Sequence, residues 1–275
     1  MSSYAELIAA LKTFKNVKER RHAIKSLAAV CANTAYHNRI INHGGWKDAI
    51  KPLLTSLDQE CITQATYALA NLTSTVETHA HLIEHGAVTE LARLATEEDY
   101  GDLSVYAITA LGNLAASPGS WGEMLRLGVL STFVRNIQEQ SSEVLVRISL
   151  FAIGNLTADL EHLESMARLK VLDAVWKYMY EPNEVIYMQT LSVIRGLATH
   201  ATCRDQMANL GIISFATSCL KDVNQQLEAK EILLDILGNI ASGSANISRT
   251  LLNNIDCIAS LNEVLTDRKS TPSIQ

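Results

Sequence analysis

The chain has 275 residues, of which 48% are hydrophobic but only 5% aromatic, so we expect a core built mainly from aliphatic side chains. Four prolines and 13 glycines are too few for the many turns of an all-β sandwich or barrel. The net charge of −6 argues against a surface that binds nucleic acid non-specifically, and we do not expect a nucleic-acid partner.

The five cysteines are scattered without a C-x-x-C pair, which argues against a zinc ribbon or a redox site and is typical of a reducing compartment. No apolar run approaches the ~20 residues of a membrane span. We therefore expect a cytoplasmic protein, with the cytosolic face of an organelle as the alternative. Met1-Ser2-Ser3 offers no glycine for myristoylation, although an acylated upstream segment stays open as a tether.

Taken in chain order, the sequence is one unit repeated. A six-residue pattern recurs at intervals of 42 at 68–73, 110–115 and 152–157, with weaker copies at 27–31, 194–198 and 237–241. A second column of residues follows each copy by 15 positions. It holds Gly44, Gly86, Gly128 and Gly211, with Lys170 and Asn254 in the remaining copies. Two columns in phase indicate a true structural repeat.

The spacing of apolar residues within a repeat is helical, as in Leu145, Ile148, Ala152 and Leu156. The pattern within each repeat predicts a short helix, a glycine corner, a second helix, a polar turn and a longer third helix. A helical period in the 40s predicts an all-α, right-handed α-solenoid, or superhelix. We expect one domain over 1–267 with about five full repeats. It would have a two-helix cap at 3–33 and a partial repeat at 245–266, before a polar tail at 268–275.

This three-helix repeat, with its glycine corner and its A-L-x-N-L-A third helix, resembles the armadillo (ARM) repeat over roughly 3–266, as in proteins made only of such repeats. The resemblance implies that the third helices line a concave groove, where the asparagine of the pattern binds the backbone of an extended partner. The residues in question are Asn71, Asn113, Asn155 and Asn239. The same amides could instead stabilise neighbouring helices, and the sequence favours neither role. Ala29 and Gly196 depart from the asparagine column.

Nuclear-import carriers of this family place a tryptophan four residues before the asparagine. Here those positions hold other residues: Tyr67, Thr109, Phe151, Ser192 and Asp235. We include Tyr67 and Phe151 among the candidate groove residues. The missing tryptophans argue against a nuclear-transport carrier, which remains a weaker alternative.

Charge along the third helices changes sign along the chain. Lys18, Arg21 and Lys25 precede the first pattern, and Glu228, Glu231 and Asp235 precede the last, with Arg147 between them. We expect the groove to be basic at its N-terminal end and acidic at its C-terminal end, and a partner segment to place its basic part near the three acids. The alternative is that both clusters are solvated helix faces.

We expect a non-catalytic scaffold or adaptor that binds an extended or helical segment of a protein partner in the groove, acting as a monomer without cofactors. His79, His81 and His85 have spacings that metal ligands use, but repetition explains His85 better than a metal does. No phosphate-binding, dinucleotide or G-x-S-x-G motif indicates an enzyme. The alternative is a membrane- or organelle-surface adaptor, tethered by an acylated segment or by the basic patch of Lys18, Arg21 and Lys25.

Overall fold

A computed structural model describes residues 3–13, 16–96, 101–139, 142–222, 224–243 and 245–266. Every regular element in these ranges is a helix, which confirms the all-α prediction. None of the described helices is both long and apolar enough to cross a membrane. The chain divides into two compact units, of which the first ends at Ala152 and the second begins at Ile153.

The first unit begins with a pair of helices and continues with three-helix repeats, whose members we call the first, second and third helix. The pair is α1 (Tyr4–Thr13) and α2 (Val17–Cys31). The repeats are α3 (His37–Asn42), a π-helix (Gly45–Ile50) continued by a 3-10 helix (Lys51–Thr55), and α4 (Gln59–Leu72); α5 (His79–Glu84), α6 (Ala87–Ala95) and α7 (Asp102–Leu114); α8 (Trp121–Arg126), α9 (Val129–Gln138) and α10 (Glu143–Leu156). Short 3-10 turns at Thr34–Tyr36, Val76–Thr78 and Pro118–Ser120 lead into the first helices.

The second unit receives the end of α10 and continues the same order. Its helices are α11 (Leu160–Arg168), α12 (Val171–Trp176) continued by a 3-10 helix (Lys177–Tyr180), and α13 (Glu184–Leu197); α14 (Ala201–Asn209), α15 (Ile212–Lys221) and α16 (Leu227–Ala241); α17 (Ala245–Asn253) and α18 (Ile255–Thr266). The predicted cap thus contains α1 and α2, and the predicted partial repeat contains α17 and α18. The predicted tail at 268–275 lies outside the described residues, and the single domain over 1–267 stays a prediction.

The corner between first and second helices requires a left-handed backbone, which explains the glycine column. The φ angles there are 79° at Gly44, 80° at Gly86, 70° at Gly128 and 87° at Gly211. Lys170 takes the same conformation, with φ 54°, and is the one non-glycine residue with positive φ in the described part of the chain. A side chain with a Cβ is strained in this region, so the corner geometry is imposed by the repeat at Lys170.

Third helices of successive repeats pack on each other within each unit. In the first unit α2 packs on α4 and α4 on α7, and in the second unit α13 packs on α16. The seams use small residues, because a Cβ at Gly112 would come within 2.6 Å of the Ile148 side chain. Aliphatic residues such as Leu69 and Leu111 are fully buried beneath them.

The cysteines behave as small apolar residues. Cys31, Cys61, Cys203 and Cys257 are buried, Cys219 is half-buried, and all five are free thiols. Burial raises the pKa of Cys31 to about 12, so its thiol stays protonated and unreactive at neutral pH.

Candidate functional site

Two of the predicted asparagines lie on adjacent third helices of the first unit, and their amides have different surroundings. Asn113 Nδ2 donates to Thr73 Oγ1 over 3.2 Å and so ties α7 to the end of α4. Asn71 Nδ2 is buried and has no hydrogen-bond partner among the described residues. The position equivalent to Thr73 in the preceding repeat is Cys31, whose thiol is a poor acceptor. The amide of Asn113 therefore has a partner in the neighbouring repeat, whereas that of Asn71 has none among the described residues.

The asparagine column of the second unit is interrupted at Gly196 for a steric reason. A Cβ at Gly196 would overlap the side chain of Thr157, two positions after Asn155, so the repeat admits no larger residue there. Asn155 is half-buried, and its Nδ2 has no hydrogen-bond partner in the described part of the chain. Asn239 on α16 is half-buried as well. Only these two members of the column bring an amide to the second unit.

The third helices of the first unit also carry an aromatic pair. The rings of Tyr67 on α4 and Tyr106 on α7 lie 4.9 Å apart at 48°. Tyr67 occupies the position of the missing tryptophan, whereas Tyr106 was not among the predicted groove residues, because it lies three positions earlier in its repeat. Phe151 on α10 is 41% exposed. We call the surface that carries Tyr67, Asn71, Tyr106 and Asn113 the unit-1 face.

The predicted basic end of the groove is partly neutralised within the first unit. Arg21 Nε and Nη2 donate to the two carboxylate oxygens of Asp58, each over 2.8 Å, and Nη1 lies 2.8 Å from Glu60 Oε2. The hydrogen bonds from the guanidinium lower the pKa of Asp58 to about 2. The positive charge of the predicted basic patch therefore rests mainly on Lys18 and Lys25, which are exposed. Arg147 is exposed too.

The predicted acidic cluster lines one cavity in the second unit. Glu228, Glu231 and Asp235 on α16 face Arg195 and Ser192 on α13 across a cavity of about 450 Å³. Asp235 Oδ2 lies 3.5 Å from Arg195 Nη1, and both side chains are more than 40% exposed. The lining of the cavity thus has three carboxylates and one arginine, and it carries a net negative charge. We call this surface the unit-2 face.

Gln189 on α13 lines the same cavity and adds a neutral acceptor. Its Oε1 is buried and has no hydrogen-bond partner among the described residues. An amide oxygen beside carboxylates suits a partner that brings several N–H donors. Gln189 was missed from the sequence because this position varies between repeats and holds His22, Gln64, Tyr106, Ile148 and Ile232 in the others.

A second column, also missed, joins successive repeats. His37 Nε2 lies 2.6 Å from the Cys31 carbonyl and its Nδ1 2.6 Å from Thr75 Oγ1. His79 repeats this arrangement with the Thr73 carbonyl, at 2.7 Å, and Ser117 Oγ, at 2.6 Å. The period of 42 would have identified the column, since it holds a ring N–H donor in three consecutive repeats.

The remaining members of this column are more varied, and two of them, Leu163 and Ile247, are apolar. Trp121 Nε1 donates to the Ala115 carbonyl over 2.8 Å. In the second unit Arg204 Nη1 donates to Ser242 Oγ over 3.0 Å. These side chains satisfy the carbonyl at the end of a third helix or reach the next repeat, so the column is structural.

The other histidines of the metal hypothesis have repeat-related roles. His85 Nδ1 lies 2.9 Å from the His81 carbonyl, and His43 Nδ1 lies 2.8 Å from the Arg39 carbonyl in the same way. The rings of His81 and His85 stack with centroids 4.2 Å apart. The described residues contain no group of three or more side chains suited to a metal ion.

Comparison with solved structures identifies the fold. An engineered protein superposes with a TM-score of 0.84 at 21% identity over 100% of this chain and 66% of its own. A designed armadillo repeat protein matches with a TM-score of 0.75 at 19% identity over 86% of this chain and 100% of its own. The chain has the armadillo repeat fold. No protein-family model and no curated protein matches its sequence.

A third match carries a ligand. A designed armadillo repeat protein in complex with the peptide (KR)4 superposes with a TM-score of 0.72 at 19% identity, over 87% of this chain and 100% of its own. The predicted armadillo resemblance and the solenoid class are thereby confirmed, whereas the roles of the individual side chains on the unit-1 and unit-2 faces remain predictions.

Proposed function

We propose that this chain is a non-catalytic scaffold or adaptor that binds a segment of a protein partner on its third helices, with a basic stretch of that segment at the unit-2 face. The observation that supports this most is the cavity between α13 and α16, which gathers Glu228, Glu231 and Asp235. A designed protein of the same fold holds an alternating lysine–arginine peptide. Charged side chains of a partner would be attracted to this cavity and oriented by it.

The partner chemistry follows from the donors and acceptors of the unit-2 face. Three carboxylates and the Gln189 oxygen accept hydrogen bonds, and Arg195 is already engaged with Asp235. A guanidinium or ammonium group supplies only donors, so arginine and lysine side chains match this face. The amides of Asn155 and Asn239 lie on α10 and α16 and could hold the backbone of the same segment.

The test is a titration of the full chain with a fluorescent (Lys-Arg)4 peptide, read by anisotropy. We expect saturable binding that weakens as salt rises, because the carboxylates are solvent-accessible. Reversing two charges, in Glu228→Lys with Asp235→Lys, should reduce affinity at least tenfold. The matched control reverses two exposed acids of the first helices, Glu161→Lys with Asp205→Lys, and so gives the same net charge change away from the cavity.

Equal losses in both double variants would mean that the peptide senses only net charge, and the assignment of the unit-2 face would be abandoned. Binding that survives the cavity variant unchanged would have the same consequence. The amide contribution is separable: Asn239→Ala should weaken the peptide complex without altering its dependence on salt.

A further inference from the structure

A large apolar groove lies at the N-terminal end of the first unit, between α1 and α2. Its volume is about 1090 Å³, and Leu7, Ala10, Ala23 and Val30 line it. Leu7 and Ala23 are buried at its floor, whereas Ala10 and Val30 are half-buried. Its lining includes Lys18 of the predicted basic patch and Ala29 of the asparagine column, but none of the four residues that define the unit-1 face.

The positions that α2 exposes in this groove are core positions in the following repeats. Ser26 and Val30 are half-buried on α2. Their equivalents 42 residues later are Ala68 and Leu72, and those 84 later are Ala110 and Leu114; all four have 0% exposure. Both α4 and α7 pack against the third helix before them, whereas α2 has no such neighbour in the described residues. The groove is thus the continuation of an interface that the chain itself uses.

The edge of the groove carries charges of both signs. Glu6 on α1 and both Lys18 and Glu19 on α2 line the groove, and all three are exposed. An apolar centre with a polar rim is the anatomy of a protein–protein interface. Because acids and a base share one rim, the surface is complementary to itself when a two-fold axis brings Lys18 of one copy to an acid of the other. Two-fold dimers through one shared patch are the commonest symmetric assemblies.

We propose that two copies of this chain associate face to face through this groove, so that α1 and α2 of both copies form a four-helix layer with the alanines at its centre. This departs from the monomer expected from the sequence. The contact involves only the cap of the first unit and leaves the unit-1 and unit-2 faces of each copy available for a partner.

The test is sedimentation equilibrium of the full chain over a range from low micromolar to near-millimolar concentration. We expect the mass to rise with concentration from the 30.1 kDa of one chain towards twice that value. Ala10→Glu should raise the dissociation constant at least tenfold, because a carboxylate would be buried there without a partner. The matched control is Ala9→Glu, on α1 but outside the groove lining, which should leave association unchanged. Thermal melts of the variants check that the cap remains folded.

The charge arrangement gives an independent test that does not depend on the apolar centre. Lys18→Glu should weaken association, and adding Glu19→Lys to it should restore association, since the rim then again carries both signs. A mass of 30.1 kDa at every concentration would overturn the proposal. The groove would then be a candidate binding site for a helix of a different protein. An equal effect of Ala9→Glu and of the groove variant would overturn it as well.

Discussion

The two units share one repeat but use the same columns differently. In the first unit most of the polar column residues described above have partners within the unit: Asn113 bonds Thr73, Arg21 pairs with Asp58 and Glu60, and His79 bonds two neighbours, with Asn71 as the exception. In the second unit Gly196 brings no amide, and three carboxylates share a cavity with one arginine.

The difference shows that the same positions on the third helices can either stabilise the packing of successive repeats or provide side chains for binding. A polar side chain on a third helix can bond the next repeat or remain available to a partner, and a single neighbour such as Thr73 decides which. Removing a bonded polar side chain is therefore expected to cost more stability in the first unit than in the second, whereas loss of partner binding is expected from changes at the acidic cavity of the second unit. Each change below tests one side of that contrast.

The largest effect is expected from His79→Ala in the first unit. This side chain is 2% exposed, and its removal would leave the Thr73 carbonyl and Ser117 without their partner. We expect a loss of about 3 kcal/mol in the free energy of unfolding, measured by urea denaturation. The counterpart in the second unit, Arg204→Ala, should cost only about 1 kcal/mol, because Arg204 is half-buried. Similar losses at both positions would remove this part of the contrast.

Placing asparagine at the glycine position of the asparagine column in the second unit should also destabilise the fold. Gly196→Asn would force a side chain into the volume of Thr157 and cost about 2 kcal/mol by overpacking. The same substitution in a Thr157→Ala background should be tolerated much better. If the single and double variants unfold at the same urea concentration, steric exclusion is not the reason for glycine at this position.

A corner residue allows a stabilising change in the second unit. Lys170→Gly should raise the free energy of unfolding by about 1 kcal/mol, since glycine adopts the left-handed conformation of Lys170 without strain. Gly128→Lys, at the equivalent corner of the first unit, should lower it. Thermal melts of the pair should move in opposite directions, and melts that move together would contradict the corner argument.

The smallest effect concerns acid stability of the first unit. The pKa of Asp58 is lowered from 3.8 to about 2 in the folded chain, so its pair with Arg21 stabilises the fold above pH 3.8 and loses this contribution as pH falls through about 2. Asp58→Asn should therefore be less stable than wild type at neutral pH, and the difference should disappear in acid. A gap that stays constant down to pH 2 would show that the charge of Asp58 is not the cause.

The fold was predictable because it repeats. Each pattern is weak alone, but the glycine corners and the A-L-x-N-L-A helices recur in phase, and even Lys170 follows the glycines in backbone conformation. The site was less predictable. A residue's position in the repeat predicts that it lies on a third helix, but it does not predict which neighbours its side chain contacts. Asn71 and Asn113 hold the same position of the pattern, yet Asn113 bonds Thr73 of the preceding repeat, whereas Asn71 has Cys31 at the equivalent place. Arg21 looked like a free base until its partners 37 and 39 residues away were known.

The most direct test of partner binding at the second unit is hydrogen–deuterium exchange of the full chain with and without the (Lys-Arg)4 peptide. We expect the peptide to slow exchange in α13 and α16, around the cavity of Glu228, Glu231 and Asp235, more than in α4 and α7. Protection confined to α4 and α7, or to the first helices, would contradict it.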